Sequence, residues 1–172
     1  RELMAQAANL ERTGLPLTHV DSHQHMHMLP GVIDISLDVA ASLHLDAVRI
    51  SRTPLFTAFA GMGQLIGRLG LFTLSELSLW KAKRRHFRVP DHFEGIVAGE
   101  AGHEGPFLHI LKDLRLGTTE VMMHPGTDNS RLIPACDWEH DFEAEMQAIV
   151  SPKVRRMIAD KAVKVVNYRD LK

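Results

Sequence analysis

The chain has 172 residues, and its 45% hydrophobic and 24% charged content is typical of a folded globular protein, which excludes a disordered or fibrous class. A formal net charge of -1 gives no general attraction to nucleic acid, so no nucleic-acid partner is expected. Cys136 is the single cysteine and no signal peptide opens the chain, which together favour a reducing cytoplasm. A chain of this length predicts one domain over residues 1–172.

Helices and strands are predicted to alternate along the first third of the chain. Residues 2–12 carry apolar side chains at helical spacing, which predicts an amphipathic helix. Residues 15–21 are predicted to form a short strand, and a helix is predicted to begin at Pro30 and run to about residue 43. Residues 47–50 are predicted to form the next buried strand. Strand, polar tip and helix make up the βα unit of an α/β fold.

Residues 55–80 form an apolar segment, but glycines and polar side chains interrupt it, which argues against a transmembrane span of ~20 apolar residues. A basic run follows, which consists of Lys81, Lys83, Arg84, Arg85 and Arg88. An apolar segment beside basic residues can lie on an anionic membrane or receive a lipid-linked sugar. The alternative is a packing or oligomer-contact helix with a solvated charged end, and this alternative is favoured.

The second half of the chain continues the alternation of helices and strands. The predicted elements are a helix over 109–115, a strand over 118–123, helices over 138–149 and 152–160, and a strand over 163–166. About four strands are predicted in all, whereas a complete eight-fold β/α barrel typically takes ~250 residues. The chain is therefore too short for a complete barrel.

The eleven histidines cluster, and three of them alternate after the first predicted strand. The alternating residues are Asp21, His23, His25 and His27. On an extended segment, a period of two places these side chains on one face, where they can converge on a metal ion. Neutral imidazoles suit zinc and similar metals, and a carboxylate can bind the ion or orient a histidine. Histidines of an ordinary loop are the alternative, and no more than two of them need be ligands.

His124 is the second candidate, because it follows a predicted buried strand and precedes a Pro-Gly turn. It could protonate a leaving group, or it could simply cap the turn. Arg49 and Arg52 follow another strand and could hold a carbonyl, hydroxyl or phosphate group, although solvated charges at a strand end are an equal alternative. Asp128 and Asn129 are interpreted as turn formers.

Two other pairs resemble metal ligands superficially, namely His103-Glu104 and His140-Asp141. Neither pair lies at the end of a predicted strand, so both are interpreted as surface helix or loop residues. The sequence contains no Gly-x-Ser-x-Gly elbow, phosphate-binding glycine loop, His-Glu-x-x-His helix or paired-cysteine motif. The histidine run is therefore the main candidate for a site.

The run from Thr18 to Pro30 resembles the Thr-His-x-Asp-Ser-His-x-His-x-His-x-x-Pro signature of the YdjC-like carbohydrate deacetylases. Segments 47–52, 120–126 and 165–171 are similar to further segments of that family, and residues 90–95 look like its hopanoid-biosynthesis-associated branch. The resemblance implies a chitooligosaccharide-type enzyme with a partial, distorted (β/α) barrel that lacks its first strands. It also implies a divalent metal ion, zinc or magnesium, and hydrolysis of the N-acetyl amide of an amino sugar or glycolipid.

The resemblance also implies roles for single residues. The histidine directly after Asp-Ser is a metal ligand, which carries over to His23, and the histidine of the His-Pro-Gly turn lines the site, which carries over to His124. Asp21 and His124 are expected to be catalytic. The expected substrate-binding residues are His25, His27, Arg49 and Arg52. The family's Ala-Asp-Asp-Phe-Gly and Gly-x-His segments do not occur in this sequence, so an N-terminally incomplete deacetylase domain is expected.

Two other functions compete with this interpretation. An amidohydrolase-type barrel also uses His-x-His after a strand, but it needs a terminal catalytic aspartate, and Asp170 lies beyond the last predicted strand. The other alternative is a non-catalytic binding protein with peripheral membrane contact. Apolar surface left by a missing first strand would favour a homo-oligomer.

Overall fold

The computed structural model describes residues 1–52, 62–95 and 102–172, and over residues 62–68 it describes the backbone alone. The described helices and strands follow one another along the chain as α1 (Glu2–Glu11), α2 (Val32–Ser42), α3 (Met62–Arg84), β1 (His92–Glu94), α4 (Glu104–Lys112), β2 (Thr119–Val121), α5 (Asn129–Cys136), α6 (Phe142–Val150) and α7 (Pro152–Asp160). Two 3-10 helices span His23–Met28 and Tyr168–Asp170. The helices predicted near residues 2–12, 30–43 and 152–160 are confirmed.

The chain divides into two compact units. The first unit comprises residues 1–91 and 166–172, and the second comprises residues 92–165. The described elements are mostly helical with a small parallel sheet, so the α/β class is confirmed. The partial barrel and the single domain stay predictions.

In the first unit, the two segments predicted as strands meet through Val20 and Val48, which form one parallel bridge. The Arg49 N–H donates to the Val20 carbonyl at 3.0 Å. The strand predicted over 15–21 is wrong in extent, because within it only Val20 forms a bridge, and Leu15 at its start is 66% exposed. The pairing nevertheless brings the end of this segment beside Arg49.

The core of the first unit packs around α2. Its buried side chains are Met28, Ile33, Leu37, Ala40, Val48, Ile50, Ala82 and Phe87. Ile33, Leu37 and Ala40 recur at helical spacing on α2, and this apolar stripe explains why a helix forms after Pro30. The helix therefore holds the preceding histidine segment against the core through Met28.

Basic residues at the end of α3 and directly after it contact acidic residues of the same unit. Lys81 of α3 pairs with Asp34, and Arg85, the residue after α3, pairs with Asp38, each at 2.6 Å. Two basic residues therefore bind the face of α2. These contacts support the interpretation of α3 as a packing helix. Part of the predicted apolar segment, residues 55–61, lies outside the described residues. Of the helices that the structure describes, none combines the length and apolar character needed to cross a membrane.

The carboxyl-terminal residues 166–172 belong to the first unit. The Arg88 guanidinium donates to the carbonyl oxygens of Arg169, at 3.1 Å, and Leu171, at 2.5 Å. The Tyr168 ring stacks on His19, with centroids 3.6 Å apart and planes inclined by 3°. The end of the chain is thus tied to the segment that leads into the histidine run.

The strand predicted over 163–166 is wrong, since the described structure has no β pairing there and Val165 is 76% exposed. The second unit instead has the parallel pair β1 and β2, in which Phe93 lies opposite Glu120. Helices α4, α6 and α7 pack against one another. Ser151 caps α7 by accepting hydrogen bonds from the first N–H groups, and Pro152 opens the helix, as predicted.

Candidate functional site

Residues 21–28, here called the histidine loop, do not form the extended segment that was predicted. They enter a 3-10 helix over His23–Met28, within which Gln24 (φ 49°) and His25 (φ 59°) are left-handed. Left-handed residues reverse the direction in which successive side chains point, so a period of two no longer places them on one face. The prediction of four converging side chains on one extended face is therefore wrong.

His27 is the most buried histidine of the loop, with 2% of its surface exposed. Its Nε2 lies 2.6 Å from the Arg49 carbonyl oxygen, which can only accept, so Nε2 carries the hydrogen. Its Nδ1 lies 2.8 Å from the Ser22 hydroxyl, which also accepts the His27 backbone N–H. Both ring nitrogens therefore bind the protein, and this favours a supporting role over contact with a substrate.

Asp21, His25 and Arg49 lie around the same loop. Asp21 forms an ion pair with Arg49 at 2.5 Å, and the two side chains are 29% and 20% exposed. His25 Nδ1 lies 2.7 Å from the Ser51 hydroxyl. The structure thus pairs Asp21 with Arg49, and each of the three predicted site residues is oriented by a partner within the first unit.

Arg52, another predicted substrate-binding residue, forms an ion pair with α3. Its Nε donates to Glu76 of α3 at 2.5 Å, and its side chain remains 46% exposed. An arginine carries five N–H donors, so one carboxylate does not exhaust its capacity to bind a further oxygen.

His23 differs from the other two histidines of the loop, because it is exposed and its ring makes no hydrogen bond to the residues that the structure describes. An imidazole needs an available nitrogen lone pair to bind a metal ion. His23 meets this requirement, whereas both nitrogens of His27 are occupied. The donor set of the loop therefore fits a metal ligand at His23.

His124 belongs to the second unit and follows β2. Its ring packs edge-on against Trp138, with centroids 5.0 Å apart, and against His140 at 5.5 Å. Its backbone N–H donates a short hydrogen bond to a carboxylate oxygen of Glu145. Glu145 on α6 therefore fixes the backbone from which the His124 ring projects.

His140 was interpreted as a surface residue, and this interpretation is wrong, because His140 is 5% exposed. Asp141 caps α6, so the residue before it lies at the base of a packed helix. The His140 ring stacks on Trp138, with centroids 4.1 Å apart, and meets Phe142 edge-on at 4.8 Å. The aromatic residues two positions either side of His140 were the signal that could have revealed its burial.

Glu145 and His140 form a buried pair. Their side chains are 4% and 2% exposed, and Glu145 Oε1 lies 3.0 Å from His140 Nε2. This distance is that of an ion pair, but the geometry is not that of a hydrogen bond, and neither ring nitrogen of His140 has a hydrogen-bond partner in the described part of the chain. The ligand atoms of His124, His140 and Glu145 all lie within 4.8 Å of one another, so the three could hold a metal ion.

Gly102 makes room for the Glu145 carboxyl group. A Cβ atom at position 102 would lie 2.4 Å from Glu145 Cδ, far inside normal contact distance. The buried carboxyl group therefore depends on a residue without a side chain at this position.

Asp128 and Asn129, interpreted as turn formers, instead begin helix α5, in which Asp128 is the capping residue. Asn129 Nδ2 donates to Asp141 Oδ1 at 2.8 Å, and this hydrogen bond is the main reason why the pKa of Asp141 lies below its usual value. His103, from the other pair interpreted as surface helix or loop, is the residue that precedes α4. The α5 to α6 contact helps to hold the start of α6, next to His140.

Comparison with known proteins gives the same family as the sequence resemblance. Residues 1–160 match the family described as YdjC-like protein. The chain is 28% identical to a carbohydrate deacetylase of Mus musculus and 23% identical to one of Brevibacillus brevis. Both alignments cover 99% of the chain; they cover 61% of the mouse protein and 60% of the Brevibacillus protein. A carbohydrate deacetylase of Homo sapiens is 28% identical over 99% of the chain and 58% of that protein.

The chain thus spans about 60% of the length of these curated relatives. No solved structure matches it. Because the family match covers most of the 172 residues, including the histidine loop and His124, the chain belongs to the YdjC-like family.

Proposed function

We propose that this protein acts as a metal-dependent carbohydrate deacetylase that removes N-acetyl groups from an amino sugar or glycolipid. The observation that carries the proposal is the family match over residues 1–160, which includes both the histidine loop and His124. The relatives named as carbohydrate deacetylases align over 99% of the chain and support the same activity.

The first unit is proposed to supply a metal ligand at His23 and a base at Asp21. His23 is exposed and available, as described above, and this supports its assignment over His27. A bound zinc or magnesium ion would polarise the acetyl carbonyl and lower the pKa of a bound water towards ~7. Arg49 holds the Asp21 carboxylate in place through the ion pair at 2.5 Å, so that Asp21 can take a proton from the attacking water.

Hydrolysis of the amide adds one water across the C–N bond. The carbonyl carbon gains the water oxygen, the C–N bond breaks, and the nitrogen must gain a proton to leave as an amine. We assign this proton to His124, whose backbone is fixed by Glu145. General acid assistance of this kind contributes typically ~100 to 10,000-fold to the rate.

Substrate contacts are proposed for His25, Arg49 and Arg52. Arg49 lies beside Asp21, His25 lies beside Ser51, and the 46% exposed Arg52 has donors suited to sugar hydroxyl groups. His27 was predicted for the same role, and its burial favours a supporting function. Its hydrogen bond to the Arg49 carbonyl would hold Arg49 in position for that contact.

The proposal is tested by acetate release from N-acetylglucosamine oligomers with and without added zinc or magnesium. His23→Ala should abolish metal-dependent release, and this variant should bind one metal ion per chain fewer than the parent protein. His109→Ala is the matched control, because His109 is exposed on α4 and its substitution should leave both unchanged. Equal metal-dependent acetate release from the parent protein and His23→Ala would refute the ligand assignment.

Four finer points belong to the same proposal. Residues 90–95 support a hopanoid-associated branch and hence a glycolipid substrate, and the single cysteine, Cys136, favours a reducing location such as the cytoplasm. A homo-oligomer would appear in light scattering as a mass above the 19.3 kDa of one chain.

Peripheral membrane contact predicts binding to anionic but not to neutral liposomes. Equal recovery of the protein with both kinds of liposome would contradict the membrane contact.

A further inference from the structure

The second unit contains a cluster of side chains with the chemistry of a metal site, separate in sequence from the histidine loop. His124 follows β2, His140 precedes α6, and Glu145 lies within α6. One ligand atom from each lies within 4.8 Å of the other two. The cluster is therefore assembled by folding, since up to 21 positions separate its members along the chain.

The His140 ring gives an independent reason to expect a ligand. Its Nδ1 and Nε2 are both buried, and neither has a hydrogen-bond partner among the described residues. Buried polar atoms in native proteins nearly always have partners, and an unmet one calls for an explanation such as an ion. A metal ion bonded to Nε2 would satisfy this nitrogen and would use the Glu145 oxygen that already lies 3.0 Å from it.

The surroundings hold the cluster in a form suited to metal binding. Trp138 and Phe142 contact the His140 ring on two sides and restrict its rotation. The second carboxylate oxygen of Glu145 accepts the His124 backbone N–H, which orients the carboxylate as supporting hydrogen bonds do in known metal sites. The site is thus organised by packing before any ion enters.

The ligand set indicates which ion would bind. Two imidazoles and one carboxylate form a common zinc set that leaves a fourth position open. Magnesium and calcium prefer oxygen ligands, so two nitrogen donors disfavour them. Within the cluster, the buried Glu145 supplies a negative charge that would offset part of the charge of a divalent ion.

We infer that His124, His140 and Glu145 form a binding site for Zn²⁺ or a similar first-row transition metal ion. The binding itself does not depend on the proposed deacetylation. One consequence does rest on it: a His124 nitrogen bonded to zinc cannot donate a proton, so excess zinc should inhibit the reaction. The cluster would then be an inhibitory site, distinct from the metal ligand at His23.

The test titrates Zn²⁺ against a chromophoric chelator in the His23→Ala background, so that the histidine-loop ligand does not contribute. The His23→Ala protein itself should bind one zinc ion per chain, through His124, His140 and Glu145. His140→Phe removes both nitrogens but keeps an aromatic ring between Trp138 and Phe142, and Glu145→Gln removes the charge but keeps an acceptor for the His124 N–H. Each should weaken zinc binding by more than about tenfold, whereas His109→Ala should leave it unchanged.

A second measurement avoids the variants, in case either fails to fold. Co²⁺ added to the His23→Ala protein should shift the proton resonances of the His124 and His140 rings and leave those of His109 in place. The site would be overturned if both His140→Phe and Glu145→Gln kept a zinc affinity within about twofold of the His23→Ala protein. It would also be overturned if the His124 and His140 resonances did not respond to Co²⁺. Loss of the deacetylase activity alone would bear on the proposed function and not on this inference.

Discussion

The histidine loop and the cluster around His140 use the same side chain in opposite ways. In the loop, His27 is buried with both ring nitrogens bound to Ser22 and Arg49, so its imidazole fastens the backbone. In the second unit, His140 is as well buried, but neither of its nitrogens has a hydrogen-bond partner in the described structure. A dense histidine motif can therefore supply few available ligands, whereas a histidine outside such a motif can supply one.

The largest expected effect concerns the chemistry of the second region. On the proposed mechanism, His124→Gln should lower kcat about 100- to 10,000-fold, because glutamine cannot donate a proton to the leaving amine, while the fold is kept. Steady-state deacetylation of N-acetylglucosamine oligomers measures this loss. The control is His109→Gln on exposed α4, and an unchanged kcat in His124→Gln would remove His124 from the reaction.

The next effect sharpens the contrast within the loop itself. His27→Ala should lower the free energy of unfolding by about 2 to 3 kcal/mol, because it removes two part-buried hydrogen bonds, including the one to the Arg49 carbonyl. His23→Ala should change it by less than about 0.5 kcal/mol, because His23 is exposed. Urea denaturation of both variants distinguishes them, and equal losses would contradict the division into supporting and available histidines.

A smaller effect tests how the second region is built. Gly102→Ala places a methyl group against the buried Glu145 carboxyl group and should lower the free energy of unfolding by about 1 to 2 kcal/mol. It should also weaken zinc binding in the His23→Ala background, since Glu145 must move. Gly105→Ala provides the control, because a Cβ there meets no atom within 4 Å. Zinc affinity that is unaffected by Gly102→Ala would mean that the Glu145 carboxylate is not held in one place.

The smallest effect is a pH dependence at the start of α6. Asn129→Ala removes the hydrogen bond that is the main cause of the lowered pKa of Asp141. A carboxyl group with a lowered pKa in the folded protein contributes stability above its unfolded pKa, and this contribution is lost as the pH falls through the folded value. The variant should therefore have a lower Tm than the parent at neutral pH, and the difference should shrink below about pH 4. A difference in Tm that stays constant down to pH 2 would contradict this origin.

Much of the helical framework could be predicted from the sequence. The Ser151-Pro152 start of α7 and the apolar stripe of α2 are local signals, and both helices form where expected. The strands were predicted less well, because a strand forms only with a partner, and Val165 shows that β-branched residues without one stay exposed. Helix α5 was not predicted, because its capping residue Asp128 was interpreted as a turn former and Pro134 lies inside the helix.

The candidate site divides in the same way. The loop residues were found from their spacing, but the left-handed conformations of Gln24 and His25, which decide where the side chains point, have no signature in that spacing. His140 was missed because its burial depends on contacts with Trp138 and Phe142 made only after α6 has packed. Spacing thus located candidate donors, whereas their availability is set by tertiary contacts.

The divided composition of the first unit has a consequence for synthesis of the protein. Residues 92–165 are continuous, so the second unit can fold as soon as this stretch has left the ribosome. The first unit is completed only when residues 166–172 have been synthesised. Arg88 then donates to the carbonyl oxygens of Arg169 and Leu171, and His19 stacks on Tyr168. Residues 166–172 therefore complete the first unit, and during translation this unit is completed after the second unit has been synthesised.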